Sequence, residues 1–263
     1  MHLDLKITVA VSNDYKTGGS FTMIKHLLFD LDGTLLPIDL DFFFQDYLSA
    51  LSARFTTIMT EKEFKDKLLA STMAMVKSED ATLTNEEVFW RDFPPRIGQP
   101  RSFLEPILRD FYNREYRLLG KNIPPADSVR PLLTEAFQQG FSITIATNPI
   151  FPDYALLERL AWINCHDLPY RMVTAMENMH FCKPNPNYYR EILDHLGAKA
   201  EECIMVGNDQ EEDMVAALVG FKTCLVTDRL ISRGKLKVKP DYTCSLAELP
   251  QILTDLITNP SAR

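Results

Sequence analysis

Short apolar runs alternate along the chain with longer stretches in which apolar residues recur every three or four positions, the signatures of strand and helix respectively. Residues 24–31 (IKHLLFDL) form a run of the first kind, closed by Asp32-Gly33-Thr34, and predict a strand buried on both faces. Residues 141–147 (FSITIAT), 170–175, 203–206 and 221–226 predict further strands. Helices are predicted between them: one capped by Asp127 or Ser128 and stopped at Gly140, one over 153–162, and one over 211–219 closed by Gly220. A further helix runs from Asn185 as N-cap and Pro186 as first turn to Gly197, and Ser245-x-x-Glu248 opens the last. Strands separated by single helices require right-handed crossovers and a parallel sheet, so the expected core is a doubly wound α/β fold.

Residues 39–125 depart from this alternation. Long helical periodicities at 42–51 and 64–76 follow one another, with capping boxes at Thr60-x-x-Glu63 and Thr84-x-x-Glu87. Pro94-Pro95, Gly98 and Pro100 are expected to break the pattern, and Pro124-Pro125 to close it. The reading is a helical insertion, with the aromatic run Phe42–Phe44 in its core, set into an α/β core of residues 23–38 and 126–258. Residues 1–22 precede Met23 as an extension for which little order is expected. They do not read as a signal peptide, because Asp4 and Lys6 interrupt the apolar stretch.

Composition narrows the class. The 263 residues are 46% apolar and 24% charged, as in ordinary globular proteins. Lys and Arg number 28 against 36 Asp and Glu, a net charge of -8 that argues against a nucleic-acid partner. No apolar run approaches the roughly 18–20 residues of a membrane span, so no membrane association is expected. Five scattered cysteines without a C-x-x-C pair point to a reducing cytoplasm, with Cys203 and Cys224 as small buried apolar residues.

In open parallel sheets ligands bind beyond the carboxyl ends of the strands, so each strand is read at its exit. The first exit gives Asp30-Leu31-Asp32-Gly33-Thr34, the second Thr147-Asn148, a pre-helix loop Lys183-Pro184, and a later exit Gly207-Asn208-Asp209 followed by Asp213. A turn at Gly33 lets Asp30 face the pocket while Asp32 curls back over it. A carboxylate such as Asp30 forms an aspartyl-phosphate when it attacks a phosphate ester, and Asp32 then serves as general acid and base. Anionic esters repel a carboxylate, so a hard cation such as Mg²⁺ is expected, with Asp30 and Asp209 as ligands and Asp213 direct or behind them. Thr147 and Asn148 are placed to hold phosphoryl oxygens, and Lys183 supplies the remaining positive charge. The expected partner is a small phosphorylated metabolite.

These residues, in this order, resemble the haloacid dehalogenase-like hydrolase superfamily over roughly residues 24–250. Asp30, Asp32, Gly33 and Thr34 match its first motif, Thr147 the second, Lys183 the third, and Asp209 with Asp213 the fourth. The resemblance implies that Asp32 also lends its backbone carbonyl to the metal, and that the insertion is a C1-type helical cap domain. Phosphatases and mutases of the family carry an acid at the position of Asp32, which dehalogenases usually lack. Hydrolysis of a phosphomonoester is the default reading. A mutase, a phosphonate hydrolase using one of Lys62, Lys65, Lys67 or Lys77, and a non-catalytic binder of a phosphometabolite are the alternatives. One departure is Asn208, where many relatives carry an acid, which leaves open whether Asp209 or Asp213 touches the metal.

Several residues read more simply. Glu211 and Glu212 are taken as a solvated first helical turn and left out of the site. His26, His166, His180 and His195 show no ligand spacing. The basic residues Arg91, Arg96, Arg101, Arg109, Arg114, Arg117 and Lys121 read as a solvated face, the alternative being that one or two reach an anionic substrate. Lys235, Lys237 and Lys239 alternate with apolar residues as in an edge strand protected by charge.

Overall fold

The computed structural model describes residues 23–235 and 238–258. The expectation for residues 1–22 lies outside them. The chain begins with β1 (His26–Phe29), then runs through α1 (Leu40–Ser52), α2 (Glu61–Val76), α3 (Asn85–Ile97), α4 (Arg101–Asn113) and the short α5 (Glu115–Leu119). The alternation then resumes: α6 (Val129–Gln138), β2 (Ser142–Ile145), α7 (Asp153–Trp162), β3 (Met172–Val173), α8 (Pro186–Leu196), β4 (Cys203–Gly207), β5 (Lys222–Val226), β6 (Tyr242–Cys244) and α9 (Leu249–Thr258).

The strands form one parallel sheet in the order β3-β2-β1-β4-β5-β6. Strand alternation buries both faces. Leu27, Phe29, Ile204 and Val206 join a core that continues into α1–α5, while Leu28, Cys203 and Met205 pack on Tyr188, Tyr189 and Ile192 of α8. Because β1 lies between β2 and β4, its exit is flanked by theirs. Phe29 pairs with Ile145 and with Val206, which sets Asp30 level with Ala146 and Gly207. The direction of winding reverses between β1 and β4, where the ligand crevice of such sheets opens. No helix among the described residues is long and apolar enough to cross a membrane.

Both capping boxes of the insertion form, with Thr60 and Glu63 at the start of α2 and Thr84 and Glu87 at the start of α3. The expected break at Pro94-Pro95 does not occur, and α3 continues to Ile97. Two prolines remove two backbone bonds at about 3 kcal/mol each. Phe89, Phe93 and Ile97, one turn apart, are all buried, and Phe93 stacks on Phe89 at 4.9 Å, so side-chain packing offsets that loss. The helix ends at Gly98, whose φ of 77° suits a left-handed cap.

Three further expectations are corrected. The segment predicted as a helix over 211–219 is a turn followed by a short 3-10 helix, Met214–Val219. Glu248 accepts from both the amide and the hydroxyl of Ser245, which is half of a capping box, yet α9 starts only at Leu249. Lys235 and Lys239 are not in a strand, Lys237 lies outside the described residues, and the sheet edges are β3 and β6.

The aromatic run divides by helical geometry: Phe43 is 7% exposed and Phe42 69%. Phe43→Ala is expected to destabilise the protein by about 3 kcal/mol, and Phe42→Ala by less than about 0.5 kcal/mol, as read from urea unfolding midpoints.

Candidate active site

A cleft of about 670 Å³ opens at the carboxyl ends of β1, β2 and β4. Asp30, Asp32, Thr147, Asn148, Asp209 and Asp213 line it, six of the seven residues singled out from the sequence. The seventh, Lys183, lies behind Asp30 and is 1% exposed. Its ammonium bonds Asp30 Oδ1 at 3.0 Å and Asp213 Oδ1 at 2.6 Å. Burial works against the charge on Lys183, but Asp213 and Asp30 outweigh it and hold the pKa well above the ordinary lysine value.

Asp213 is held on both sides, since its Oδ2 accepts from the backbone N–H of Asp209 at 2.9 Å. That approach passes over Gly207, where a Cβ atom would lie 2.1 Å from Asp213 Oδ2. Asp209 in turn accepts from the amides of Glu211 and Glu212, both at 2.9 Å, and from Arg233 Nη1 at 2.9 and 2.8 Å on its two oxygens. Asp30 Oδ2 is reached by the Thr34 hydroxyl at 3.0 Å, as is Asn208 Oδ1. A hydroxyl has one proton, so donation to Asn208 leaves Asp30 Oδ2 with a free lone pair.

Gly33 makes the turn that brings both acids of the first motif to the cleft. Its φ is +92°, and a Cβ there would meet Asn208 Nδ2 at 2.5 Å. Asp32 Oδ2 is bonded by Arg159 Nη1 at 2.5 Å, while Asp32 Oδ1 is buried without a partner. Burial raises the Asp32 carboxyl, Arg159 opposes it and Asp30 adds to it, leaving a pKa of about 6. That value suits a group that gives and takes a proton near neutral pH.

Thr147, at the exit of β2, is fixed through its carbonyl by the hydroxyls of Thr174 at 2.7 Å and Tyr188 at 2.9 Å. The Asn148 side-chain amide donates to Glu212 Oε2 at 3.1 Å and to the carbonyl of Lys183 at 3.4 Å, so both of its protons are committed. Asn208, the departure in the fourth motif, is a neutral clamp. It accepts from Thr34 and donates to the carbonyl of Arg229 at 2.6 Å.

Sequence reasoning missed Glu212, Arg233 and Arg159. Glu211 and Glu212 are not a solvated helical turn: Glu211 accepts from the amides of Arg233 and Lys235, and Glu212 lines the cleft. Burial, then the nearby Asp209, raises Glu212 to about 7. The basic face of the insertion is paired outward instead. Arg96, Arg101, Arg109, Arg114 and Arg117 each meet a nearby acid, and none lines the cleft. Lys62 and Lys65 pair with Asp66 and Glu61 on the surface, and Lys67 bonds the carbonyl of Arg96. His180 bonds Glu191 at 2.5 Å, away from the cleft.

The donor set fits a hard cation. Its carboxylates offer oxygen ligands, and Asp30, Asp32, Asp39, Asp41, Asp209, Glu212 and Asp213 outnumber Arg229 and Arg233 on the wall and Lys183 and Arg159 behind it. Among the described residues no three His, Cys, Asp or Glu side chains form a ready-made metal cage. Mg²⁺ needs none, since it binds through one or two carboxylates with water and substrate completing its shell.

A family model for haloacid dehalogenase-like hydrolases matches residues 24–219. Pyrophosphatase PpaX of Halalkalibacterium halodurans is 25% identical over 233 residues, covering 88% of this chain and 95% of that protein. Among solved structures, the HAD-hydrolase YfnB of Bacillus subtilis bound to magnesium is 21% identical, with a TM-score of 0.53 over 88% of this chain and 99% of that one. L-2-haloacid dehalogenase of Xanthobacter autotrophicus gives 20%, 0.53 and the same coverage. At these identities the two structures show a shared fold.

Glu212 makes stability depend on pH. Its carboxyl is raised from 4.5 to about 7, so the folded protein keeps a proton that the unfolded chain releases. This contribution is full below pH 4.5 and is lost as pH rises through about 7. Metal-free wild type is expected to lose up to ~3 kcal/mol relative to Glu212→Gln between acid and mildly alkaline pH. Urea unfolding of both proteins at pH 5 and pH 8 in chelator measures the difference.

Proposed function

The chain belongs to the haloacid dehalogenase-like hydrolase family, and on that premise we propose that it is a Mg²⁺-dependent phosphatase acting on a small phosphomonoester through an Asp30 phosphoenzyme. One observation carries this reading: a carboxylate, Asp30, bonded to a buried lysine and level with a second acid, Asp32, whose pKa lies near neutrality. A dehalogenase has no leaving oxygen to protonate, so Asp32 would be idle there. The alternative of a phosphonate hydrolase needs a lysine reaching the cleft from the insertion, and the residues lining it include none.

In the first step an Asp30 oxygen attacks phosphorus, the ester P–O bond breaks, and Asp32 gives its proton to the departing oxygen. In the second, Asp32 takes a proton from water as the water oxygen attacks phosphorus. The acyl-phosphate P–O bond breaks and Asp30 is restored with release of phosphate. Lys183 stays charged throughout and offsets the negative charge that accumulates on the phosphoryl group. Thr147 and the backbone of Asn148 hold its oxygens.

Asp30, the Asp32 carbonyl and Asp209 would hold Mg²⁺, which supplies charge neutralisation at the phosphoryl group when bound. Asp213 is 1% exposed against 7% for Asp209, is bonded to Lys183 and to the Asp209 amide, and acts from behind. We read α1–α5 as the cap, because Asp39, Leu40, Asp41 and Phe44 at its start line the cleft. The magnesium of the YfnB structure and the pyrophosphatase relative support the metal and the phosphoryl chemistry, and the latter puts pyrophosphate among the substrates to test.

Wild type is expected to release p-nitrophenol from p-nitrophenyl phosphate only with Mg²⁺, and Asp30→Asn to lower kcat roughly 10⁴-fold or more. Beryllofluoride, an acyl-phosphate mimic, should raise the Tm of wild type and leave that of Asp30→Asn unchanged. Turnover surviving in Asp30→Asn, or a wild type inert to the ester, to pyrophosphate and to beryllofluoride, sinks the proposal.

A further inference from the structure

Arg159 is fully buried, yet it belongs to no strand exit and to none of the four motifs. It projects from α7, the helix after β2. Its guanidinium reaches in two directions, bonding Asp32 Oδ2 through Nη1 at 2.5 Å and the Tyr116 hydroxyl through Nε at 2.6 Å. The rings of Phe151 and Phe43 lie 3.9 and 4.8 Å from its central carbon. Asp32 is its ion-pair partner, and Tyr116 belongs to α5 of the insertion.

A guanidinium so enclosed requires an anion, because an unpaired charge in the interior costs several kcal/mol. A purely structural pair would be served by any buried carboxylate. Here the partner is the acid that lines the cleft, tied by one oxygen only, with Oδ1 left free of hydrogen bonds. A carboxyl pinned by Oδ2 cannot rotate freely about its Cβ–Cγ bond, so Arg159 sets how the acid is turned at the cleft wall. The aromatic walls and the Tyr116 hydroxyl fix the guanidinium itself.

We propose that Arg159 is a positioning residue for proton transfer by Asp32, and that Tyr116 of the insertion fixes Arg159 in turn. The chain Tyr116–Arg159–Asp32 thereby makes the proton-donating step depend on where the inserted helices sit. This assignment rests on the phosphatase reading. The proton leaves the Asp32 carboxyl for the leaving oxygen as the ester P–O bond breaks, so loss of positioning matters in proportion to how much that oxygen needs a proton. A phenolate departs nearly unaided, whereas an alkoxide does not.

The test compares kcat/KM for p-nitrophenyl phosphate and for 2-glycerophosphate in wild type, Arg159→Met, Arg159→Lys and Tyr116→Phe, with Tm recorded for each. Arg159→Met is expected to lose about a hundredfold on the alkyl ester and less than about fivefold on the aryl ester, with part of the loss recovered in Arg159→Lys. Tyr116→Phe removes one hydroxyl without changing volume, and should shift the ratio in the same direction by about fivefold even if Arg159→Met does not fold. An unchanged aryl-to-alkyl ratio in folded Tyr116→Phe, or equal losses on both esters in Arg159→Met, overturns the assignment. A wild type inert to both esters, to pyrophosphate and to beryllofluoride overturns the phosphatase reading, and this one with it.

Discussion

The buried ammonium of Lys183, between Asp30 at 3.0 Å and Asp213 at 2.6 Å, is the contact on which the rest of the site depends. None of the three groups is tolerable alone in the interior, and together they tie β1, the loop before α8 and the turn after β4 into one unit. Asp213 extends the linkage to the Asp209 amide. Asp209 extends it to the amides of Glu211 and Glu212 and to Arg233. A parallel sheet brings three strand exits within reach, but it does not orient side chains. The orientation comes from pairing charges that could not otherwise be buried.

The pairing is deliberately incomplete in sign. Seven carboxylates line the cleft against Arg229 and Arg233 on its wall and Lys183 and Arg159 behind it, and burial, with a neighbouring acid adding to it, raises the Asp32 and Glu212 carboxyls. An apolar or fully neutralised pocket would be more stable, but on the proposed reading it could neither hold a dication nor keep the proton that Asp32 donates. The two glycines belong to the same argument. Gly33 and Gly207 each stand where a Cβ atom would run into Asn208 or Asp213, so the close approach of the acid-bearing loops requires their lack of a side chain.

What was legible in the sequence follows from covalent adjacency. A run such as HLLF ending in Asp-Leu-Asp-Gly places its carboxylates at a strand exit whatever the tertiary details, and the same holds for Thr147 and for Asp209. The capping boxes at Thr60 and Thr84 are local in the same sense. Pro94-Pro95 was read wrongly because the compensation is tertiary: Phe93 packs against Phe64 of another helix, and no window around the prolines contains that residue. Glu212 reads as solvated because its hydrogen-bond partner, Asn148, lies sixty-four positions away.

Arg159 is the instructive case, because a signal for it was present. The buried face of α7 is Ala155, Leu156, Arg159 and Leu160, an apolar stripe at helical spacing with a single arginine on it. A long cationic side chain at the edge of such a stripe extends its charge to water. One at the centre of a stripe facing a sheet cannot, and must meet a carboxylate inside. α7 follows β2, whose exit lies beside that of β1, so the nearest carboxylates are those of the first motif. Of these, Asp30 is already matched by Lys183, which leaves Asp32. Charge balance applied to the helix stripe, after the motifs have been placed, therefore selects the observed pair, where periodicity alone records only an interruption.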